Sequence, residues 1–158
     1  AARYAAHHTR RIVALDLSHR MVTASRRLGI SNTIQGDMHQ LPLPDQVFDA
    51  ALAAFSFNST DPRRSFPEAF RILKPGGRLV LQEWGTVDPL SDLLDETLAE
   101  YAVEEPPPGL AARRAAQQAP HPWGELETSD DIAARLAEAG FEPVTIDVVT
   151  PVVLFPDG

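Results

Sequence analysis

The chain has 158 residues, of which 44% are hydrophobic and 23% charged, as expected for one soluble globular domain with a sizeable core. Its formal net charge of −8 argues against nucleic acid as a partner, and the absence of cysteine excludes disulfides, thiolate metal sites and cysteine nucleophiles. No apolar run approaches the roughly 20 residues of a membrane helix, and no signal peptide opens the chain, so we expect no membrane partner and a cytoplasmic location.

The first part of the chain predicts a strand between two helical segments. Residues 1–8 resemble the last turns of a helix. Residues 11–17 are apolar almost throughout, which is typical of a parallel strand covered on both faces. Ser18 is a suitable N-cap for a helix over residues 19–28, and Gly29 is a natural residue to end it.

The stretch that follows places a carboxylate at the end of a strand. A short strand is predicted over residues 32–35, and Asp37 comes directly after it. The loop 41–45 contains two prolines and cannot be helix interior. A buried strand is predicted over residues 47–55. Such strand ends are where open α/β sheets bind ligands.

The start of the second helix has two alternatives. Asp61 and Pro62 resemble an N-cap followed by proline at the first helical position, but Pro67 would then interrupt the helix interior. A start at Ser65 places Pro67 in the first turn and makes Ser65 and Glu68 a capping box. We therefore predict the start at Ser65.

The remaining segments complete an alternating pattern. A turn over residues 74–77 leads to a buried strand over 78–83, and residues 87–127 are predicted to be a helical insertion that caps the domain. A helix over 130–139 and a strand over 144–149 follow. This order predicts one α/β domain over residues 1–158 with a doubly wound, mostly parallel sheet.

Three segments, taken in order, point to a known family. They are Val-Ala-Leu-Asp-Leu-Ser at 13–18 with Met21 nearby, Gln-Gly-Asp-Met at 35–38 continuing to Phe-Asp at 48–49, and Glu-Ala-Phe-Arg-Ile-Leu-Lys-Pro-Gly-Gly at 68–77. In this combination the chain resembles the class I S-adenosylmethionine-dependent methyltransferases, in particular the small-molecule branch similar to the ubiquinone/menaquinone-biosynthesis enzymes. The segment Leu-Ala-Glu-Ala-Gly-Phe at 136–141 also fits that family.

The resemblance implies S-adenosylmethionine as the cofactor and a small-molecule methyl acceptor. Asp16 would accept from the ribose hydroxyls, and Asp37 would accept from the adenine amino group, because ionised carboxylates only accept hydrogen bonds. The residues implied for the rest of the cofactor are Leu17 and Met21 against the adenine faces, the Met38 backbone amide at a ring nitrogen, and Ala53 and Ala54 under the methionine part.

Methyl transfer is an in-line displacement, so such an enzyme works mainly by positioning the acceptor against the methyl group. We therefore assign no catalytic residue. The histidines at 19, 39 and 121 do not have metal-ligand spacing, so no metal site is predicted and solvated or capping roles are favoured.

The chain departs from the family pattern at its beginning. The family's first strand and its glycine-rich loop are expected before residue 1, and that strand is the central one of the sheet. We therefore expect a partial domain, in which the strands at 11–17 and 47–55 each lack a neighbour.

Other readings of these residues stay open. Asp16 alone could cap a helix, Asp37 could stabilise its own turn, and Met21 and Met38 could fill the core. Asp16 at a strand end also suits a nicotinamide-dependent oxidoreductase. A third hypothesis is a non-catalytic binding or dimerisation module, in which a homodimer fills the gap in the sheet.

Overall fold

The computed structural model describes residues 11–84, 96–97, 101, 107–109, 111–112, 115, 126 and 128–149. In chain order the elements are β1 (Ala14–Asp16), α1 (His19–Arg27), β2 (Thr33–Gln35), β3 (Phe48–Ala54), a 3-10 turn (Phe57–Ser59), α2 (Pro62–Ile72), β4 (Leu73–Gln82) and α3 (Ser129–Glu138). The α/β alternation predicted for the described part of the chain is confirmed.

The strands form two separate parallel pairs. β1 pairs with β2, and β3 pairs with β4. Among the described residues, no ladder joins β1 to β3. One edge of β1 and one edge of β3 therefore have no described strand partner.

The helix α1 begins at the predicted residue, His19, and ends at Arg27, one residue before the predicted end. The Ser18 Oγ atom accepts a hydrogen bond from the Met21 amide at 3.5 Å, and Gly29 has the positive φ of 89° that a residue without a Cβ adopts readily. Val22, a residue of this helix, is buried. The predicted strand–helix–strand unit is thus present, and its helix connects the paired strands β1 and β2.

The predicted start of the second helix is wrong. Helix α2 begins at Pro62, with the Asp61 side chain accepting from the Arg63 amide at 3.0 Å, and Pro67 lies inside the helix. Ser65 forms no capping box with Glu68. Its hydroxyl instead contacts that of Thr60 at 2.8 Å.

Tertiary packing explains the early start of α2. Pro62, Ser65 and Phe66 are almost completely buried, so the turn before Pro67 is held by burial and not by helix propensity alone. The cost of a proline in a helix interior, about 3 kcal/mol, is offset by these contacts.

The core lies between the two later helices and one face of β3 and β4. Its buried members are Phe57, Phe66, Ala69 and Leu136, and the rings of Phe57 and Phe66 meet edge-on with centroids 4.9 Å apart. Leu79 and Leu81 of β4 pack against this cluster, with β-strand alternation. The intervening Val80 is 57% exposed, so the opposite face of the sheet is open within the described residues.

The C-terminal part is predicted correctly for the helix and wrongly for the strand. Thr128 and Asp131 form a capping box at the start of α3, and Gly140 ends it with a φ of 104°. Residues 141–149 contain no strand, and Val148 is 80% exposed. The apolar pattern resembles a strand, but a strand also requires a ladder partner, and none of the described strands pairs with this segment.

Two further predictions fall on other parts of the chain. The helical insertion at 87–127 lies outside the described residues except for a few positions, and the segment 1–8 lies outside them entirely. Both stay predictions. None of the helices in the described ranges has the length and apolarity that crossing a bilayer requires.

The position of Pro67 gives a direct test of where α2 begins. Pro67 cannot donate the hydrogen bond that the Arg63 carbonyl would accept in an uninterrupted helix, so Pro67→Ala should stabilise the protein by about 2 kcal/mol. Urea unfolding followed by circular dichroism measures the change. The matched control Pro62→Ala removes a buried proline at the first helical position and should lower stability. A neutral or destabilising Pro67→Ala would instead support a helix that starts at Ser65.

Candidate functional site

The pairing of β1 with β2 places two aspartates at one edge of a sheet. Asp16 is the last residue of β1 and lies opposite Gln35, the last residue of β2. The Gly36 amide donates to the Asp16 carbonyl at 3.1 Å, which extends the ladder by one step, and Asp37 follows directly. The two strands are parallel, so both carboxylates come from the same, C-terminal edge.

Each aspartate uses one carboxylate oxygen to hold its own turn. The Asp16 Oδ1 atom accepts from the Ser18 amide at 2.8 Å, and the Asp37 Oδ1 atom accepts from the His39 amide at 2.8 Å. Ser18, and not Asp16, is the N-cap of α1. The turn-stabilising alternative for Asp37 is therefore right for one of its oxygens, whereas the helix-capping alternative for Asp16 is wrong. Within the described part of the chain, neither Oδ2 atom has a hydrogen-bond partner.

The environment keeps Asp37 ionised. The hydrogen bond from the His39 amide is the main cause that lowers the pKa of Asp37, and the nearby positive charge of Arg64 acts in the same direction. The Asp37 side chain is 51% exposed, so its second oxygen is accessible to a ligand. An ionised carboxylate at this position can only accept hydrogen bonds.

Two large apolar side chains close to Asp16 in the sequence are exposed to solvent. Leu17 is 69% exposed and Met21 is 53% exposed, so Met21 is not the core filler that the alternative reading suggested. The Gln35 side chain donates to the Leu17 carbonyl at 3.0 Å and ties the ends of β1 and β2 together. This edge combines hydrogen-bond acceptors with exposed apolar surface, as small-molecule sites do.

The side chain of Met38 faces the core, whereas its backbone amide lies at the candidate site. Its side chain packs against the core cluster of Phe57, Phe66, Ala69 and Leu136, as the core-filling alternative expects. No described residue accepts a hydrogen bond from its amide, which leaves that N–H for a ligand. The predicted backbone role is compatible with this arrangement.

Ala53 and Ala54 lie at the end of β3, in the other strand pair. The Ala53 side chain packs against the core, so Ala54, which alternates with it, points to the opposite face of the sheet. Phe55 follows with a φ of 52° and ends the strand. The predicted contact of both alanines with the methionine part of a cofactor stays a prediction.

A carboxyl group that sequence reasoning missed joins the ends of β3 and β4. The Glu83 Oε1 atom accepts from the amides of Ser56 and Phe57 at 2.9 and 2.7 Å. Its Oε2 atom is buried and has no partner in the described residues. Burial raises the pKa of Glu83, although these backbone hydrogen bonds act against the rise. The only sequence signal was an acidic residue at the end of a predicted buried strand.

Arg71 fixes the proline-containing loop, and its role was also missed. Its guanidinium donates to the carbonyls of Leu41 and Leu43, at 3.0 and 2.8 Å, and forms an ion pair with Asp45. Glu68 accepts from Arg71 and also from the Leu41 amide at 2.6 Å, and the hydrogen bonds from Arg71 are the main cause that lowers the Glu68 pKa. The segment after Asp37 is therefore attached to α2. Sequence reasoning placed Glu68 in a capping box with Ser65 and gave no sign of its contact with the loop.

Glu83 should make stability depend on pH. Its pKa is raised in the folded state, so the folded protein retains this proton to higher pH than the unfolded chain does. Stability should therefore fall as the pH rises from the ordinary glutamate pKa through the raised value. Glu83→Gln retains an acceptor for the two amides and should remove that part of the pH dependence, as measured by thermal unfolding between pH 4 and pH 8. An unchanged pH profile in the variant would contradict the assignment.

Comparison with known proteins identifies the family. The family model described as "Methyltransferase domain" matches residues 1–81. The ubiquinone/menaquinone biosynthesis C-methyltransferase UbiE of Bartonella bacilliformis is 30% identical over 155 residues, which cover 92% of this chain and 58% of that protein. The demethylmenaquinone methyltransferase of Clavibacter sepedonicus is 31% identical over 143 residues, covering 84% of this chain and 57% of that protein.

A solved structure shows the same fold. The SAM-dependent methyltransferase from Thermotoga maritima, described as a possible histamine N-methyltransferase, aligns with a TM-score of 0.57 and 27% identity, over 81% of this chain and 54% of that one. The chain thus spans little more than half the length of these three proteins. The matches do not favour the nicotinamide-dependent oxidoreductase. On sequence and on fold, the chain belongs to the methyltransferase domain family of class I S-adenosylmethionine-dependent methyltransferases.

Proposed function

We propose that this chain binds S-adenosylmethionine through its adenosine part, at the C-terminal edge of β1 and β2, and serves methyl transfer to a small-molecule acceptor. One observation carries the proposal. Asp16 and Asp37 lie at the same sheet edge, and each has one oxygen engaged in its own turn and the other without a partner among the described residues. Membership of the methyltransferase domain family supports the choice of cofactor.

The donors and acceptors of adenosine match the groups at this edge. A ribose offers two hydroxyl donors, which suit the second oxygen of Asp16, and the adenine amino group suits the second oxygen of Asp37. The Met38 amide can donate to a ring nitrogen. Leu17 and Met21 are exposed apolar side chains that a planar base would cover.

The chemical contribution of the chain is positioning. S-adenosylmethionine, when bound, supplies an electrophilic methyl group on a sulfonium. The residues of this chain bind and orient the adenosine end, so that the methyl group has a defined location for the acceptor. No described side chain is assigned as a general base. Our proposal for the acceptor is a small molecule of the quinone-precursor type, because the two curated relatives are named for ubiquinone and menaquinone biosynthesis.

An assembly role is a second candidate, favoured by the two separate strand pairs. Each of β1 and β3 has one edge without a described strand partner, and the backbone groups on these edges could pair with a further strand, which a homodimer would supply. Sedimentation velocity distinguishes a stable dimer from a monomer.

The exclusion of nucleic acid and the cytoplasmic location stay predictions from charge and composition.

Asparagine substitutions test the two aspartates without removing their turns. In Asp16→Asn and Asp37→Asn, the amide oxygen can still accept from the Ser18 or His39 amide, but a donor replaces the second acceptor. Loss of a hydrogen bond to a charged group costs about 1.5–3 kcal/mol, so we expect affinity for S-adenosylhomocysteine to fall about 10- to 100-fold. Isothermal titration calorimetry measures this change.

Asp49→Asn is the matched control. Asp49 lies near the opposite end of β3, where its carboxylate pairs with Lys74 at 2.8 Å, so the control should bind like the wild type. Equal affinities of all four proteins would contradict the proposed site. Failure of the wild-type chain to bind would contradict cofactor binding by this chain.

A further inference from the structure

His39 lies between the sheet edge and helix α2 and contacts both. Its side chain is 21% exposed. The Nδ1 atom lies 2.8 Å from Asp37 Oδ1, and the Nε2 atom accepts a hydrogen bond from the Asp61 amide at 2.8 Å. Asp61 is the N-cap of α2, so a single imidazole connects the carboxylate to the beginning of that helix.

The two contacts determine where the ring proton lies. A backbone N–H only donates, so the Nε2 atom facing Asp61 must be unprotonated. The neutral ring then carries its proton on Nδ1, which donates to Asp37 Oδ1. That oxygen also accepts from the His39 amide, so it receives two donors from one residue.

From this geometry we propose that His39 is a positioning residue for the adenine of the cofactor. His39 donates two hydrogen bonds to Asp37 Oδ1, from its ring and from its amide. Oδ2 is then the oxygen that accepts from the adenine amino group. The inference rests on the proposed function, because it concerns the same carboxylate. A fixed carboxylate loses less conformational freedom when the ligand binds, so the ring should increase affinity without touching the cofactor.

Two substitutions separate the two contacts of the ring. In His39→Asn, the side-chain amide can reach the position of Nδ1 and keep a donor for Asp37. In His39→Gln, it can reach the position of Nε2 and keep an acceptor for the Asp61 amide. The pair therefore distinguishes orientation of the carboxylate from support of helix α2.

The expected results are opposite for binding and for stability. In titrations with S-adenosylhomocysteine, His39→Asn should have a dissociation constant close to that of the wild type. The dissociation constant of His39→Gln should be about 10-fold higher. The melting temperature should fall more in His39→Asn, which leaves the Asp61 amide without its acceptor. A residue with only a structural role would lose affinity and stability together in the same variant.

The tautomer of the His39 ring tests the proposal without any substitution. Nitrogen-15 NMR of the imidazole in the wild-type chain should show Nδ1 protonated and Nε2 unprotonated at neutral pH. The opposite tautomer, or equal affinities of the two variants, would overturn the role of His39 and leave the proposed function standing. Absence of binding by the wild-type chain would overturn both.

Discussion

The parallel ladder between β1 and β2 is the constraint on which the candidate site depends. Its register sets Asp16 opposite Gln35, so the next turns of both strands leave the sheet side by side. Gly36 allows this close approach, because a Cβ there would lie 2.7 Å from the Pro42 ring and 2.8 Å from the Leu15 side chain. A shift of one residue in this ladder would turn alternate side chains to the other face and separate the two carboxylates.

The second carboxylate is held by contacts with α2 as well as by the ladder. Arg71 and Glu68 attach the loop after Asp37 to the side of the helix, and His39 attaches Asp37 to its N-terminus. The helix itself is anchored in the core by Phe66. The position of the half-exposed Asp37 carboxylate therefore depends on the buried ring of Phe66 and on helix α2, which begins more than twenty residues later in the sequence.

Local sequence signals predicted local structure well. Ser18, Gly29 and Thr128 mark helix ends because caps and positive-φ turns depend on neighbouring residues alone. The apolar runs likewise predicted the paired strands, but β4 begins at Leu73 and includes residues 74–77, which were predicted to be a turn. The alternation of strands and helices, together with the ordered segments around Asp16 and Asp37, was enough for the family.

Features set by distant partners were not predictable in this way. The start of α2 was misplaced because the burial of Pro62 and Phe66 outweighs the local cost of Pro67. The contacts of His39 with Asp61, of Arg71 with Leu41 and of Glu83 with Ser56 join residues more than twenty positions apart in the sequence. No local pattern indicates such contacts. The assignment of Asp16 and Asp37 to one nucleoside is in turn a prediction that needs a ligand to test it.

Adenosine is the smallest probe of that assignment. Titration of the isotope-labelled chain with adenosine, followed by amide NMR, should shift the signals of residues 16–18 and 36–39. Signals at the opposite, N-terminal ends of β2 and β3, near Asn32 and Asp49, should stay unchanged. This pattern would show that the nucleoside binds at the common end of β1 and β2. Shifts confined to the opposite edge, or no shift at any amide, would contradict the account.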